Sequence, residues 1–139
     1  MYEFLDRRVT SLDRGGRFLI WAMRSWVAAA STNTCRARVI APAFGKYGML
    51  PALHPFLHMM AVFNRFALET FSFGKPDCNR VLEHEAIILA AVACQGSPAA
   101  RSVPGTLALL LDEDHIAGVI DALARLGRAL IAAELPPSS

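Results

Sequence analysis

The sequence predicts an all-α protein, a single domain over residues 1–139 whose five or six helices form an irregular bundle. Three observations favour this class. Apolar residues recur with helical spacing in four separate stretches, whereas strand-like alternation is almost absent. The 139 residues suffice for one domain with a real core, and 54% of them are hydrophobic. The longest apolar run, residues 86–94, is about half as long as a membrane crossing requires.

The first two helices follow from capping residues and apolar spacing. The first is predicted over residues 11–30, with Ser11 as its cap. Its apolar face consists of six side chains: Leu12, Leu19, Ala22, Met23, Trp26 and Val27. A short second helix is predicted over residues 41–47, with Pro42 in its first turn and Gly48 at its end.

The start of the third helix depends on two prolines. If the helix began at Pro51, the ring of Pro55 would clash with a carbonyl one turn earlier, at a cost of about 3 kcal/mol. We therefore predict a helix from Pro55 to Thr70. His54 then lies at the cap, outside helical geometry, and loses its regular spacing of four residues to His58.

The fourth helix follows the clearest loop of the sequence, residues 71–79. Asn79 is predicted to cap this helix, which ends at Gln95 before a glycine. Its later turns are apolar all round, and such a helix is expected to be buried.

The last two helices are predicted from proline, glycine and acidic residues. The fifth covers residues 97–111 and is broken at Pro104-Gly105. The sixth covers residues 112–134, with Asp112 as its cap and an apolar stripe along one face. Residues 1–10 and 135–139 are expected to fray.

Basic and acidic residues are distributed unequally along the chain, although its net charge is only +2. Residues 1–48 carry eight basic and three acidic side chains, whereas residues 49–139 carry six basic and nine acidic ones. Unlike charge on two parts of a protein favours attraction between subunits, or a basic face for an acidic partner. Together with the high hydrophobic content, this distribution predicts a homo-oligomer, with a dimer favoured.

The arginine-rich first helix indicates an interaction surface. Trp21 lies opposite the apolar face of this helix. It projects between three arginines, Arg14, Arg17 and Arg24. Burial of the helix does not require a tryptophan there, and tryptophan and arginine are enriched at interface hot spots. We predict that these four residues contact a second copy or another protein. In the alternative, residues 35–49 fold back over Trp21 as a second layer of core.

A small metal- or thiol-dependent protein is the alternative function. The candidate residues, whose types bind metals or act as thiols, are His54, His58, Cys78, His84 and Glu85. Cys78 lies shortly before the predicted fourth helix, where the helix dipole can activate a thiol. Their spacing matches no zinc signature, no H-E-x-x-H motif is present, and Glu85 fits a first-turn acid that complements the dipole. We predict no catalytic residue, no bound metal and no cofactor.

Nucleic acid and membrane are not favoured as partners. The arginines of the first helix suggest a weak nucleic-acid binder as a further alternative. Against it, the chain is barely basic, no helix-turn-helix can be placed, and the acidic half would repel phosphate. The charged first residues do not form a signal peptide. Three cysteines without CxxC spacing do not form a disulfide framework, which predicts a cytoplasmic protein with reduced thiols.

A resemblance to a known family adds to this interpretation. The segment WAMRSWV at residues 21–27 is followed by the Cys78 loop and by a helix start with HEA at residues 84–86. Over residues 11–95 the chain resembles a family of short bacterial proteins that share a W-A-M-R-x-W pattern. The resemblance implies a helical domain but no activity and no functional residue, because no activity is known for that family. The sequence thus predicts a self-associating interaction or regulatory module and not an enzyme.

Overall fold

The computed structural model describes residues 3–135 and confirms the all-α class. Six α-helices lie in this range: α1 (Arg14–Ser31), α2 (Arg36–Lys46), α3 (Leu53–Phe66), α4 (Glu83–Ala93), α5 (Val103–Ala108) and α6 (Glu113–Ala132). Short 3-10 turns occur at Val9–Ser11, Leu50–Ala52 and Pro98–Ser102. This part of the chain contains no strand, only two isolated antiparallel bridges.

The helices pack as an irregular bundle in which α4 is buried along nearly its whole length. Residues 84–92 of α4 are all buried, as predicted for a helix that is apolar all round. α4 contacts both α1 and α6, α6 also packs on α3 and α5, and α2 contacts α1 and α3. Between residues 3 and 135, no helix combines the length and the apolar character that a membrane crossing needs.

The cap of α1 lies two residues after the predicted one. α1 begins at Arg14, and Asp13 takes the position predicted for Ser11. Oδ1 of Asp13 accepts a hydrogen bond from the backbone N–H of Gly16 at 2.9 Å. This bond satisfies one of the backbone donors that a helix start leaves without a partner.

α2 begins at Arg36, five residues before the predicted start. Pro42 therefore lies inside the helix and not in its first turn. Proline cannot donate a helical hydrogen bond at such a position. The helix persists because Ile40 and Phe44 are fully buried against the core, and that burial offsets the missing bond.

The prediction that Pro55 removes His54 from helical geometry is wrong. α3 begins at Leu53, so Pro55 is only its third residue. The backbone N–H at this position has no partner within a helix, and proline therefore loses no hydrogen bond there. His54 and His58 share α3 at the regular spacing of four residues, and both are exposed.

A tertiary contact ends α3 before the predicted Thr70. The helix stops at Phe66, and Ala67 has extended backbone angles. Ala67 forms an antiparallel bridge with Leu111, and the backbone N–H of Leu68 donates to the carbonyl of Leu110 at 2.8 Å. The residues after Phe66 are thus paired with the segment before α6 and cannot continue the helix.

α4 begins at Glu83, later than the predicted cap Asn79 allows. The carboxylate of Glu85 accepts a hydrogen bond from the backbone N–H of Leu82 at 2.9 Å, which marks the helix start. The side chain of Asn79 instead accepts a hydrogen bond from the backbone N–H of Thr10 at 3.2 Å. Asn79 therefore holds the N-terminal segment and not the helix.

The segment before α6 departs from the predicted helix over residues 97–111, because it is a 3-10 turn followed by an α-helix that ends at Ala108. Pro104-Gly105 lies in the first turn of α5 and does not break a helix, because a 3-10 turn at Pro98–Ser102 runs directly into α5. α6 follows Asp112, the predicted cap residue, and ends two residues before the predicted Glu134.

The N-terminal residues pack against the rest of the protein, although they were expected to fray. Phe4 is 1% exposed. The backbone N–H of Asp6 donates to the carbonyl of Val81 at 3.0 Å, and a bridge between Arg8 and Arg80 continues this pairing. The ends of the chain, residues 1–2 and 136–139, lie outside the described residues.

Candidate functional sites

A buried ion pair joins α1 and α4. Arg24 is 3% exposed and Glu85 is 0% exposed. Nε of Arg24 donates to Oε2 of Glu85 at 2.8 Å, and Nη2 donates to Oε1 at 3.0 Å. Two parallel bonds of this kind give a strong and well-oriented pair. Arg24 is therefore part of an internal contact, and its predicted place on an exposed interaction surface is wrong.

Further hydrogen bonds from this pair hold the loop between α3 and α4. Arg24 also donates to the backbone carbonyls of Cys78 and Arg80, the second at 2.8 Å. Glu85 accepts from the backbone N–H of Gly74 at 3.0 Å. The hydrogen bonds to Glu85 are the main cause that raises the pKa of Arg24 above its ordinary value, against the opposing effect of burial. The pair thus fastens this loop to α1.

Gly74 lies directly against the guanidinium. A Cβ at this position would be 2.6 Å from Nη2 and 2.7 Å from Cζ of Arg24. Arg24 cannot move aside without losing its bonds to Glu85 and to the loop. The close approach therefore requires glycine, because every other residue adds the clashing carbon.

His84 is also used to hold the loop. It is 3% exposed, and its Nδ1 accepts a hydrogen bond from the backbone N–H of Ser72 at 2.7 Å. In the neutral ring the proton then lies on Nε2, which donates to Oε1 of Glu69 at 3.2 Å. The ring also stacks on Phe71, with 4.2 Å between centroids. Both nitrogens of His84 are thus occupied by contacts within the protein.

The residues predicted for a metal or thiol site are not brought together as a ligand set. Cys78 is not adjacent to the start of α4, and its thiol donates to a nearby backbone carbonyl at 3.6 Å. Glu85 and His84 are engaged as described above, whereas His54 and His58 lie on the exposed side of α3. Within residues 3–135, no three His, Cys, Asp or Glu side chains are arranged to hold a metal ion.

A second site, exposed to solvent, lies along the N-terminal half of α1. It is a groove of about 560 Å³ with an aromatic floor. The ring of Phe18 lies 6.3 Å from Trp21 and 5.6 Å from Tyr47, measured between centroids. We call this site the basic aromatic groove; its lining residues are Arg14, Arg17, Phe18, Trp21, Ala43, Lys46, Tyr47 and Leu135.

Three cations surround the aromatic floor. Arg14, Arg17 and Lys46 are all exposed, and no acidic residue lines the groove among the described residues. Nζ of Lys46 lies 5.6 Å from the centre of the Tyr47 ring, a cation–π contact. The groove thus offers apolar contact and positive charge together, which suits an occupant that is both apolar and acidic.

The structure groups three of the four predicted surface residues. Arg14, Arg17 and Trp21 line one groove, as the helical wheel predicts. α2 does fold back beside Trp21, as the alternative predicts, but it leaves the indole 41% exposed. Trp21 is therefore not a core residue, and contact with a partner at this groove stays a prediction.

The sequence alone does not indicate the residues that complete the two sites. Lys46, Tyr47 and Leu135 come from other elements than α1 and meet Trp21 only in the folded chain. The partner of Glu85 lies 61 residues away along the sequence. One feature of the sequence points to a partner for Glu85. A helix that is apolar all round buries its first turn as well, and a carboxylate buried there requires a cationic partner.

Comparison of the chain with protein-family models, with curated proteins and with solved structures gave no significant match.

Proposed function

We propose that this protein is a non-catalytic interaction module that assembles with copies of itself through the basic aromatic groove. The exposure of Trp21 is the observation that favours this function. Trp21 is 41% exposed, whereas Trp26 on the same helix is 5% exposed. Burial of the exposed part of this indole against a partner would be favourable, because it removes apolar surface from water. An exposed tryptophan among arginines has the composition of an interface hot spot.

A non-catalytic role is supported by the way the reactive side chains are used. His84 and Glu85 bind the loop between α3 and α4 with all their polar side-chain atoms. Throughout the described range, every buried side-chain nitrogen or oxygen has a hydrogen-bond partner. Perturbed and unsatisfied polar groups are what active sites gather, so these contacts favour a structural role for both residues.

Self-association is supported by apolar side chains that remain on the surface. Besides Trp21 and Tyr47, five large apolar residues are exposed in the described chain: Val39, Leu50, Leu68, Leu109 and Ile131. The proposed setting is the cytoplasm of a bacterial cell. The three free cysteines fit a reducing compartment, and the W-A-M-R-x-W resemblance favours a bacterial origin.

The proposal is tested by measuring the mass of the protein by light scattering across a concentration series. One copy has a mass of 15.1 kDa, and we expect the wild type to reach at least twice this mass at micromolar concentration. Trp21→Ala should remain folded but weaken assembly by about 2 kcal/mol or more, as for other hot-spot residues.

Two control variants separate assembly from folding. Val39 is exposed to nearly the same extent as Trp21 but does not line the groove, so Val39→Ala should assemble like the wild type. Trp26→Ala should lower the free energy of unfolding by about 3–5 kcal/mol at every protein concentration. A wild-type mass near 15.1 kDa, or unchanged assembly of Trp21→Ala, would refute the proposed function.

A further inference from the structure

The surface that best complements the basic aromatic groove is on the chain itself. Leu109 is 77% exposed and Leu68 is 61% exposed. The backbone N–H of Leu68 donates to the carbonyl of Leu110, so the segments that carry the two leucines lie side by side. Acidic side chains follow each of them. We call this patch the acidic leucine corner; it consists of Leu68, Glu69, Leu109, Asp112, Glu113 and Asp114.

The acidic leucine corner keeps a net negative charge in its local environment. Three of its acids, residues 112–114, lie at the start of α6. The helix N-terminus there opposes their charge with roughly half a positive elementary charge. Arg65 adds one further positive charge from the last turn of α3. Glu69 is 54% exposed, Asp112 is 42% exposed, and Glu113 and Asp114 are also exposed. Glu69 accepts a hydrogen bond from His84 and Asp112 accepts one from His115, but both side chains keep part of their surface in solvent. The four carboxylates therefore outweigh the charge of Arg65 and of the helix N-terminus.

The two surfaces cannot meet within one copy. Leu135 lines the groove just beyond the C-terminal end of α6, whereas Asp112 lies at its N-terminal end. A helix of 20 residues separates these ends by about 30 Å. The contact must therefore form between two copies.

Charge disfavours the simplest alternative, in which two grooves face each other. That arrangement would bring Arg14, Arg17 and Lys46 of one copy against the same three cations of the other. Like charges placed together at an interface oppose binding strongly. The groove against the acidic leucine corner instead pairs three cations with four acids and an aromatic floor with two exposed leucines.

Resting on the proposed function, we infer that the acidic leucine corner of a second copy is what the basic aromatic groove binds. If each copy places both of its surfaces against the other copy, the contact forms twice and the dimer closes. If each copy instead binds a different copy at each surface, the contact repeats in one direction and the assembly grows as an open chain. In both arrangements, binding is strongest at low salt because the rim charges are exposed.

The test combines one charge reversal on each surface. Arg17→Glu alters the groove and Glu113→Arg alters the acidic leucine corner, and each variant is measured by sedimentation equilibrium at low and physiological salt. Each should self-associate at least about tenfold more weakly than the wild type. An equimolar mixture should associate again, since the intact groove of the Glu113→Arg variant meets the intact corner of the Arg17→Glu variant.

Charge reversals outside both surfaces are the controls, because they show whether the loss of assembly is specific to the groove and the corner. Arg128→Glu and Asp121→Arg change exposed charges of α6 outside both sites and should leave assembly unchanged. Recovery in the mixture, without recovery in either variant alone, supports the inference. If Arg17→Glu fails to assemble while Glu113→Arg assembles like the wild type, the inference is wrong and the proposed function stands. If both variants fail and mixing restores nothing, the inference is wrong as well. A monomeric wild type refutes both.

Discussion

Two arginines of α1, about two turns apart, illustrate how differently one helix can use the same side chain. Arg24 is buried in four hydrogen bonds to Glu85 and to two backbone carbonyls. Arg17 is exposed at the rim of the basic aromatic groove. The first holds the protein together, and the second is available to a partner.

The difference shows that a nearby carboxylate, and not the residue type, determines whether an arginine of this helix is buried or exposed. Arg24 lies four residues after Ile20, which is 2% exposed, and thus sits at the edge of the buried face of α1. An arginine at such an edge is stable there only when a carboxylate replaces the water that it loses. Glu85 provides this carboxylate, whereas Arg17 keeps its water and needs no partner within the copy.

The largest expected effect comes from removing the carboxylate of the buried pair. Glu85→Ala leaves a buried guanidinium without its counter-charge and should lower the free energy of unfolding by about 3–5 kcal/mol. Arg17→Ala should change it by less than about 0.5 kcal/mol, because the side chain is exposed. Urea denaturation at a concentration where the protein is monomeric measures both.

Arg24→Lys serves as a second variant if Glu85→Ala does not fold. Lysine keeps the positive charge but cannot reproduce the two parallel bonds to Glu85, so an intermediate loss of stability is expected. If Glu85→Ala were no less stable than Arg17→Ala, the proposed difference between the two arginines would be wrong.

A smaller effect is expected from adding one carbon beside Arg24. Gly74→Ala introduces a Cβ within 2.6 Å of Nη2 and should destabilise the protein; overpacking of this kind typically costs about 1–3 kcal/mol. Thermal unfolding of the purified variant measures the loss. If Gly74→Ala were as stable as the wild type, the guanidinium would not be fixed in place.

Gly105→Ala is the matched control for this change. No atom lies within 4 Å of a Cβ at Gly105, which is in the first turn of α5. The same substitution should be neutral there or stabilising by up to about 1 kcal/mol, because alanine favours helix.

The smallest effect concerns two thiols. Cys94 lies at the end of α4, the helix that carries Glu85, and Cys35 precedes α2, the helix that lines the basic aromatic groove. Burial raises the pKa of the Cys94 thiol at the end of α4, whereas Cys35 beside α2 is exposed. Iodoacetamide should therefore alkylate Cys94 more slowly than Cys35 and require a higher pH, as peptide mass spectrometry can follow. In urea the two rates should become equal. Equal rates in the folded protein would contradict the burial of Cys94.

The raised pKa of Cys94 also sets the sign of a pH effect on stability. In the range where an ordinary thiol titrates, the folded chain keeps the proton on Cys94 while the unfolded chain releases it. Rising pH through this range therefore favours the unfolded chain slightly. Cys94→Ala should remove this component of the pH dependence, which denaturation at several pH values would show.

Local patterns predicted much of the fold but placed several boundaries wrongly. α4 is buried all round, and α6 begins after Asp112, both as predicted. The end of α3 was missed because Ala67 leaves the helix to pair with Leu111, a residue that is distant in sequence. The start of α2 was missed because burial of Phe44 outweighs the defect at Pro42. Both errors occurred where a tertiary contact opposed a local preference.

The sequence by itself determined the helical class, the burial of α4 and the grouping of Arg14, Arg17 and Trp21 on one side of α1. Each of these depends on a period of about 3.6 residues within a single helix, which needs no knowledge of the neighbouring elements. Only the tertiary structure decided that Arg24 turns inward to Glu85, that Lys46 and Tyr47 complete the groove, and that the acidic leucine corner lies at the far end of α6. These outcomes depend on distances between elements that are remote in sequence, and the pairing of charges changes over a few ångströms.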